Sequence, residues 1–341
     1  MSNTKFTAFY PSRPFWAGSA PSLIKLDNLD WLHGLDQTKQ NLLQEQMAEE
    51  VFSRTEEQSQ IRIARDGRIM VHVAQLETKA SKLHIKEEVD RWNEYLNYLN
   101  AFYLLLDSST IEIMNLGYFN LHEVTVRDAF RIVPENGKIK GEAIASESIG
   151  SVFQLARNLP IGVSSIPTMM MREVISLDVL EHASTLFQQV FSSPGLEKPL
   201  ATLAKSLGEY KVGNYETSIV LSWFIVEEAV IHLWKSHLDK LNVDIKEKEM
   251  RINSARMDIL TWRDFTISTV SNLLELWNSL PYELFLDINK VRRIRNDIVH
   301  RKGRKLGTTE TQLALKTSRA MIERIWGISF VLNLSYGISG F

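Results

Sequence analysis

The longest strongly apolar segment in the second half of this chain is IVLSWFIVEEAVIHLW, residues 219–234. One serine, two adjacent glutamates and one histidine are the only interruptions of its apolar run. A helix that is apolar on most sides has to be surrounded by other elements, as the central helix of a bundle is. The stretch therefore predicts a central helix over residues 215–238 of a helical domain.

The sequence on both sides of this stretch favours further helices. Apolar positions recurring every three or four residues, with Gly and Pro as breakers, predict the following ranges: 196–210, 244–257, 262–280, 281–294 and onward to Gly303 and Gly307, and 308–332. The turn residues at 192–195, Ser-Ser-Pro-Gly, are the best linker signal. After that linker we predict no strand, so residues 196–341 are expected to form an all-α helical bundle.

The first 193 residues mix strand and helix patterns. Alternating apolar residues around Asp66-Gly67 predict a β-hairpin over residues 61–77. A solvated helix is predicted over 37–60, and helices over 87–106 and 170–191. Strand character is predicted over 111–133, most clearly at 111–113 and 123–126, with a turn at 134–137. The expected fold class is an α+β N-terminal domain, residues 1–193, followed by the helical domain.

Composition excludes several classes of chemistry. The 341 residues contain no cysteine, which rules out disulfides, thiolate metal sites and cysteine nucleophiles. The formal net charge of -2 gives no global attraction to nucleic acid, so any such attraction has to come from a local patch. The N-terminus lacks the pattern of a signal peptide, and the late apolar run at 326–334 is far shorter than the roughly 20 residues that span a bilayer. We expect a cytoplasmic protein without membrane contact.

A local basic patch occurs at VRRIRNDIVHRKGRK, residues 291–305, where eight of fifteen residues are Lys, Arg or His. A run of charged residues usually forms a solvated face. Because these cations cluster around one histidine, a binding surface for the RNA backbone is as good an interpretation as a solvated face. The candidate RNA-binding residues are Arg292, Arg293, Arg301, Lys302, Arg304 and Lys305.

Within this patch, Arg295, Asn296 and His300 form the candidate catalytic set. On an α-helix, residues five positions apart are separated by about 140° around the axis and about 7.5 Å along it. Arg295 and His300 therefore do not lie on one face, whereas Asn296 and His300 do. One helix cannot clamp a substrate from two sides, but a second copy supplied by a dimer could.

These residue types suit cleavage of RNA by its own 2′-hydroxyl. A histidine can accept or donate a proton near neutral pH, and general acid–base catalysis contributes roughly 10²–10⁴-fold. The planar guanidinium of Arg295 fits a phosphate, and the amide of Asn296 can hold a histidine tautomer or a phosphate oxygen. The reaction needs no metal ion, and no metal site or cofactor is expected.

The string Arg295-Asn296-Asp297-Ile298-Val299-His300 also resembles a family motif. Residues of about 196–335 resemble a HEPN domain, the compact helical domain of many prokaryotic ribonucleases in antiviral and toxin systems. The family motif is Arg, usually followed by a polar residue, then His after four to six intervening residues. The helix after Gly213-Asn214, beginning SIVLSWFIVEEAV, looks similar as well.

The resemblance implies metal-independent endoribonuclease activity by a homodimer whose two motifs face each other. By that resemblance Arg295 and His300 are catalytic and Asn296 supports them. One subset of the family, paired with a nucleotidyltransferase antitoxin, has Tyr two places after the His, where this sequence has Lys302. Residues 1–193 match no family that we can name. By analogy with related architectures they are a sensing or regulatory domain, with a possible regulatory partner.

Other interpretations of the same residues remain open. Arg295 and His300 could simply close a helix, whose C-terminal dipole favours cations. The domain could also be a non-catalytic module for RNA binding, protein binding or dimerisation. We expect one of Glu227 and Glu228 to be buried beside a cation such as Arg292 or Arg295, and the other to lie at the wet edge of the helix.

Further polar and aromatic residues favour structural roles. His232 and His237 have no other ligand type at a suitable spacing, so they are expected in the core or at the surface rather than on a metal. Asp178 and His182 are spaced for a local hydrogen bond. The helical spacing of the aromatic residues of 92–103 indicates core packing more than base stacking. The sequence contains no P-loop, G-x-G-x-x-G, H-E-x-x-H or G-x-S-x-G motif, so the activities that depend on them have no support.

Overall fold

The computed structural model describes residues 4–22, 37–78, 85–135, 138–143, 172–246, 249–261, 265–300 and 306–335. The chain divides into two compact units. The sheet unit comprises Met1–Ala204 together with Phe330–Phe341, and the helical unit comprises Lys205–Ser329. The division falls within a helix, Glu197–Lys211, and the C-terminal residues join the first unit.

The sheet unit is built on a six-stranded antiparallel sheet with the strand order β3-β4-β5-β1-β6-β7. A second, parallel pair joins β2 to β8. The strands are β1 (Phe6–Phe9), β2 (Trp16–Ala17), β3 (Glu50–Thr55), β4 (Ser59–Ala64), β5 (Ile69–Val73), β6 (Phe130–Glu135), β7 (Lys138–Ala143) and β8 (Val174–Ile175). The described helices of this unit are α1 (Gln37–Ala48), α2 (Ala74–Thr78), α3 (Ile85–Met114) and α4 (Leu177–Ser192), followed by the first part of α5 (Glu197–Lys211).

The predicted hairpin around Asp66-Gly67 is confirmed. It joins β4 to β5, and Gly67 has a φ of 85°, a conformation that glycine adopts without strain. An added Cβ at Gly67 would also lie 2.9 Å from the carbonyl oxygen of Phe15. The alternating residues Ile61, Ile63 and Val71 are fully buried, as the pattern predicts. The hairpin is shorter than expected, because residues 74–78 form α2.

Several predictions for the sheet unit are wrong or cover only part of an element. Residues 111–113 belong to α3, and residues 123–126 are not a strand; the strand begins at Phe130. The helix predicted over 37–60 ends at Ala48, and β3 follows it. The helix predicted from residue 170 begins at Leu177, and residues 170–171 and 136–137 lie outside the described residues. At 111–113 the continuation of the long helix α3 outweighed local strand propensity. At 50–55 the pairing of β3 with β4 outweighed local helix propensity.

The helical unit contains the second part of α5 and five further helices among the described residues. They are α6 (Tyr215–Leu241), α7 (Ser254–Thr261), α8 (Ile267–Leu276), α9 (Tyr282–His300) and α10 (Thr308–Trp326). A small antiparallel pair, β9 (Asp244–Lys246) and β10 (Glu249–Met250), lies between α6 and α7. The charged helix predicted over 244–257 therefore holds only from Ser254 onward, and strand structure does not stop at the linker. The helix predicted over 308–332 ends at Trp326, because Gly327 adopts a left-handed φ of 71°.

Helix α6 is the centre of this unit, as its sequence predicts. Its buried residues, among them Trp223, Val226 and Val230, share one apolar core with Ile288, Val291 and Ile294 of α9 and with residues of α8 and α10. By length and composition α6 could also cross a membrane, but half of its most apolar window is buried within the protein, as in the core helix of a bundle. The coarse architecture is thus a sheet-containing N-terminal part followed by a largely helical C-terminal part.

Candidate active site

Helix α9 carries the candidate site. Pro281 precedes it, and the Phe285 N–H donates to the Pro281 carbonyl at 2.9 Å, so proline lies where its missing N–H costs nothing. Ile288, Val291 and Ile294 are buried and fix the rotation of the helix against the core. This rotation decides which side of α9 the polar residues between them occupy.

The three predicted catalytic residues all belong to α9 but differ in burial. Arg295 and Asn296 are half-buried, whereas His300 is exposed and is the last residue of the helix. Because the helix is continuous through His300, Arg295 and His300 are separated by about 140° and about 7.5 Å. One copy of α9 therefore places Asn296 beside Arg295 and on the same face as His300, but keeps Arg295 and His300 on different sides of the helix.

Arg295 is held by its neighbour. Its Nη1 donates to Oδ1 of Asn296 at 3.2 Å. Its Nε is buried and has no hydrogen-bond partner among the described residues. A buried donor without a partner costs on the order of 1–3 kcal/mol, and more where the group is charged. The guanidinium is therefore oriented by an amide and not neutralised by a carboxylate.

Arg292 repeats this arrangement one turn earlier. Its Nη2 donates to Oδ1 of Asn289 at 3.4 Å, and its Nε is buried without a hydrogen-bond partner in the described part of the chain. Asn289 is itself fixed, since its Nδ2 donates to the Phe285 carbonyl at 3.1 Å. Asn289 was not identified from the sequence, although its position three residues before Arg292 is a signal that could have indicated it.

Neighbouring cations of the helical unit behave differently. Lys290 pairs with Asp287 at 3.0 Å, and Arg319 pairs with Glu323 at 2.9 Å. Among the described residues, neither Arg292 nor Arg295 forms an ion pair. Two half-buried guanidiniums thus stand close together on α9 with amide partners only, which is an arrangement suited to an anion such as a phosphate.

Only part of the predicted RNA track can be described. Arg292 is half-buried and Arg293 is exposed on α9. The remaining four residues of the track lie outside the described residues: Arg301, Lys302, Arg304 and Lys305.

The expectation of an ion pair between a buried glutamate and Arg292 or Arg295 is wrong for the described residues. Glu227 is half-buried and Glu228 is exposed, and neither is ion-paired there. The positions of Glu227 and Glu228 at the edge of α6 keep both carboxylates in reach of water, which removes the need for a cationic partner.

The other residues that the sequence singled out have structural contacts. His232 packs beside Trp326, and His237 stacks on Trp277, with no group of three or more metal-ligating side chains in the described part of the chain. His182 does not bond Asp178; its Nδ1 lies 3.0 Å from Ser109 Oγ and its Nε2 lies 3.6 Å from Glu112. The aromatic residues of α3 pack in the core as expected, with Tyr95, Phe102 and Tyr103 fully buried.

Ser109 and His182 resemble the start of a serine–histidine pair, but the hydroxyl cannot act as a nucleophile. Ser109 is fully buried, and its Oγ donates to the Leu105 carbonyl at 2.8 Å. Its lone pairs therefore accept from the imidazole, and no substrate can reach it. The contact ties α3 to α4.

Compared with known proteins, the chain matches no family model, no curated protein sequence and no solved structure. The function has to be argued from its own residues.

Proposed function

We propose that this protein is a metal-independent endoribonuclease of the HEPN type that cleaves single-stranded RNA. One observation carries the proposal. Arg292 and Arg295 are half-buried, are held by asparagine amides, and form no ion pair among the described residues, and they precede an exposed histidine on the same helix. A phosphodiester supplies the missing negative charge, and the histidine supplies proton transfer beside it.

In the proposed reaction, a basic imidazole of His300 accepts the proton of a ribose 2′-hydroxyl. The 2′-oxygen attacks the adjacent phosphorus, the bond from phosphorus to the 5′-oxygen breaks, and a protonated imidazole donates to that oxygen. The products are a 2′,3′-cyclic phosphate and a 5′-hydroxyl end. Arg295 stabilises the charge that gathers on the phosphoryl oxygens. Asn296 orients Arg295 through the hydrogen bond at 3.2 Å.

The proposal includes a homodimer through the helical unit. Arg295 and His300 of one helix diverge by about 140°, so the second set of groups has to come from another copy. Val299 supports this idea, because it is one turn after Arg295 and yet is exposed. An apolar side chain beside a charged site suits a surface that a second copy covers.

The biological role that we propose is antiviral defence or toxicity to the host cell, with the sheet unit as a sensor or regulator. This part of the proposal rests on the resemblance of residues 295–300 to the family motif. Expression of the wild-type chain should then arrest growth, and His300→Ala should relieve the arrest. Equal toxicity of the two chains would contradict it.

The decisive test is cleavage without metal. Wild-type protein should cut a defined single-stranded RNA in EDTA and leave 2′,3′-cyclic phosphate ends, and His300→Ala should reduce the rate by roughly 10²–10⁴-fold. An RNA with a single 2′-deoxyribose should resist cleavage at that position only. Circular dichroism and thermal unfolding should be unchanged in His300→Ala, because His300 is exposed.

The second candidate function is a non-catalytic RNA-binding module. It is favoured by the position of His300 at the end of α9, where a cation complements the helix dipole without any catalytic role. It predicts RNA binding that weakens with salt and yields no product. Cleavage that requires added Mg²⁺, or no cleavage by the wild type, would contradict the nuclease.

A further inference from the structure

A stack of three aromatic rings lies where α8 turns into α9. Trp234 and His237 belong to α6, and Trp277 caps the end of α8. The planes of the three rings are within 8° of parallel, and the centroids of His237 and Trp277 are 4.5 Å apart. Trp234 is 5.8 Å from Trp277, and its Nε1 donates to the Leu260 carbonyl at 2.8 Å. The stack is thus anchored in the core by a buried indole.

The outer ring of this stack is open on one side. Trp277 is 45% exposed although His237 covers one of its faces. We assign the exposed area to the opposite face and the ring edge, because no other described ring is stacked there. Such exposure is unusual for a tryptophan, which is normally buried for most of its area. The stack ends at a flat aromatic surface in solvent.

The loop that presents Trp277 is fixed by hydrogen bonds. The Trp277 N–H donates to the Leu273 carbonyl at 3.1 Å, and the Ser279 N–H donates to the Leu274 carbonyl at 2.8 Å. Nη2 of Arg324, from α10, donates to the Ser279 carbonyl at 3.1 Å. An aromatic ring on a braced loop loses little conformational entropy when a ligand stacks on it. The same contact places the exposed guanidinium of Arg324 at this loop.

We propose that the open face of Trp277 binds an unpaired base of single-stranded RNA. A planar base continues a series of parallel rings, and every base offers such a face. The cation of Arg324, which binds the same loop at Ser279, suits the phosphate of that nucleotide. An apolar protein surface could cover Trp277 without a planar group parallel to its ring. The parallel arrangement of the rings therefore favours a base.

This inference rests on the proposed function, since it names how the same unit holds its RNA. The loop precedes α9, and Arg295 is more than three turns further along that helix. The stacked base is therefore outside the dinucleotide that is cut. Removing the ring should raise KM and leave kcat unchanged, because the contact is the same in the ground state and the transition state.

The test uses the full chain with His300→Ala, so that the RNA stays intact. The probe is a short single-stranded RNA that carries 2-aminopurine, whose fluorescence falls on stacking. Trp277→Leu should weaken binding by roughly 5- to 150-fold and abolish the quenching, and Trp277→Phe should retain part of both. The salt dependence should be unchanged in Trp277→Leu, whereas Arg292→Ala should lower the salt slope by about one.

Leu276→Ala is the matched control, because Leu276 is adjacent and 72% exposed but is not part of the stack. It should bind RNA as the parent does, and thermal unfolding should show that all variants are folded. Equal losses in Leu276→Ala and Trp277→Leu would indicate a general apolar docking surface and overturn the inference. Unchanged binding in Trp277→Leu would also overturn it.

Cleavage by the chain with native His300 separates the two proposals. If this chain cuts RNA in EDTA but Trp277 is irrelevant to KM and to quenching, the base site is wrong and the nuclease stands. If RNA is bound through Trp277 but never cut, the nuclease is wrong and the base site stands. If no RNA is bound or cut, both are wrong.

Discussion

The arginines Arg91 and Arg131 of the sheet unit and the half-buried arginines of α9 differ in the groups that hold them. In the sheet unit, Arg131 pairs with Glu77, and Arg91 lies 3.8 Å from the same carboxylate. Both guanidiniums also pack over the ring of Trp92. On α9, Arg292 and Arg295 have asparagine partners and no ion pair among the described residues.

The difference indicates what each set of arginines is for. The charge of a buried arginine that pairs with a carboxylate is compensated within the fold, and removing one partner leaves the other charge uncompensated. An arginine held only by an amide keeps its net charge and most of its donors for another group. The first arrangement is structural, and the second is preorganised for an anion.

The largest expected effect separates activity from stability at Arg295. Arg295→Ala should reduce RNA cleavage by about 10²–10³-fold, as the loss of one stabilising donor does. The free energy of unfolding should change by less than about 1 kcal/mol, because no carboxylate loses a partner. Arg295→Lys should not restore cleavage, since an ammonium lacks the planar fork. A loss of stability in Arg295→Ala as large as that in Arg131→Ala would contradict this distinction.

Arg131→Ala should show the opposite pattern. Glu77 is 14% exposed in its side chain and would keep only the more distant Arg91, so the sheet unit should lose about 3 kcal/mol of stability. Urea unfolding, monitored by amide hydrogen exchange in the sheet unit, measures this loss of stability. The matched control is Arg62→Ala, whose pair with Glu50 is more exposed and should be worth less than about 1 kcal/mol. Equal effects of the two substitutions would remove the distinction between paired and surface arginines.

The smallest effect concerns alkaline pH. The pKa of Tyr98 is raised to about 12, mainly by burial and to a smaller extent by the nearby carboxylates of Glu197 and Glu94. The folded state therefore retains a proton that the unfolded chain releases near pH 10, and the contribution of Tyr98 to stability is lost as pH rises from about 10 to 12. Tyr98→Phe should flatten the decline of stability in this window. A decline that is identical in the variant would show that other groups cause it.

The sequence predicted the elements whose patterns were long and unambiguous. The apolar run of α6, the amphipathic stretch of α5 and the alternation around Asp66-Gly67 each gave the right element, because burial on a repeating face dominates local structure. The pattern failed at 244–257, where a charged segment that fits a helix forms the β9–β10 hairpin instead. It also failed at 111–113, where α3 continues through an apparent strand.

For the candidate site, the sequence supplied the residues but not their environment. It identified Arg292, Arg295, Asn296 and His300 and the angle between them, since a helix fixes that angle. It did not identify Asn289 as the partner of Arg292, and it wrongly expected Glu227 or Glu228 to neutralise an arginine. Trp277 was not identified, because it lies within the helix predicted over 262–280 and a single tryptophan there forms no motif.

By itself the sequence determined the order of the main elements, a helical C-terminal part around α6, and a helix that bears an arginine, an asparagine and a histidine. Periodicity and turn residues carry this information because they act over a few neighbouring positions. The pairing of the cations, the exposure of Trp277 and the boundary between the two units became visible in the folded protein alone. Those outcomes depend on residues that are distant in the chain and meet only when the core has packed, so no local pattern encodes them.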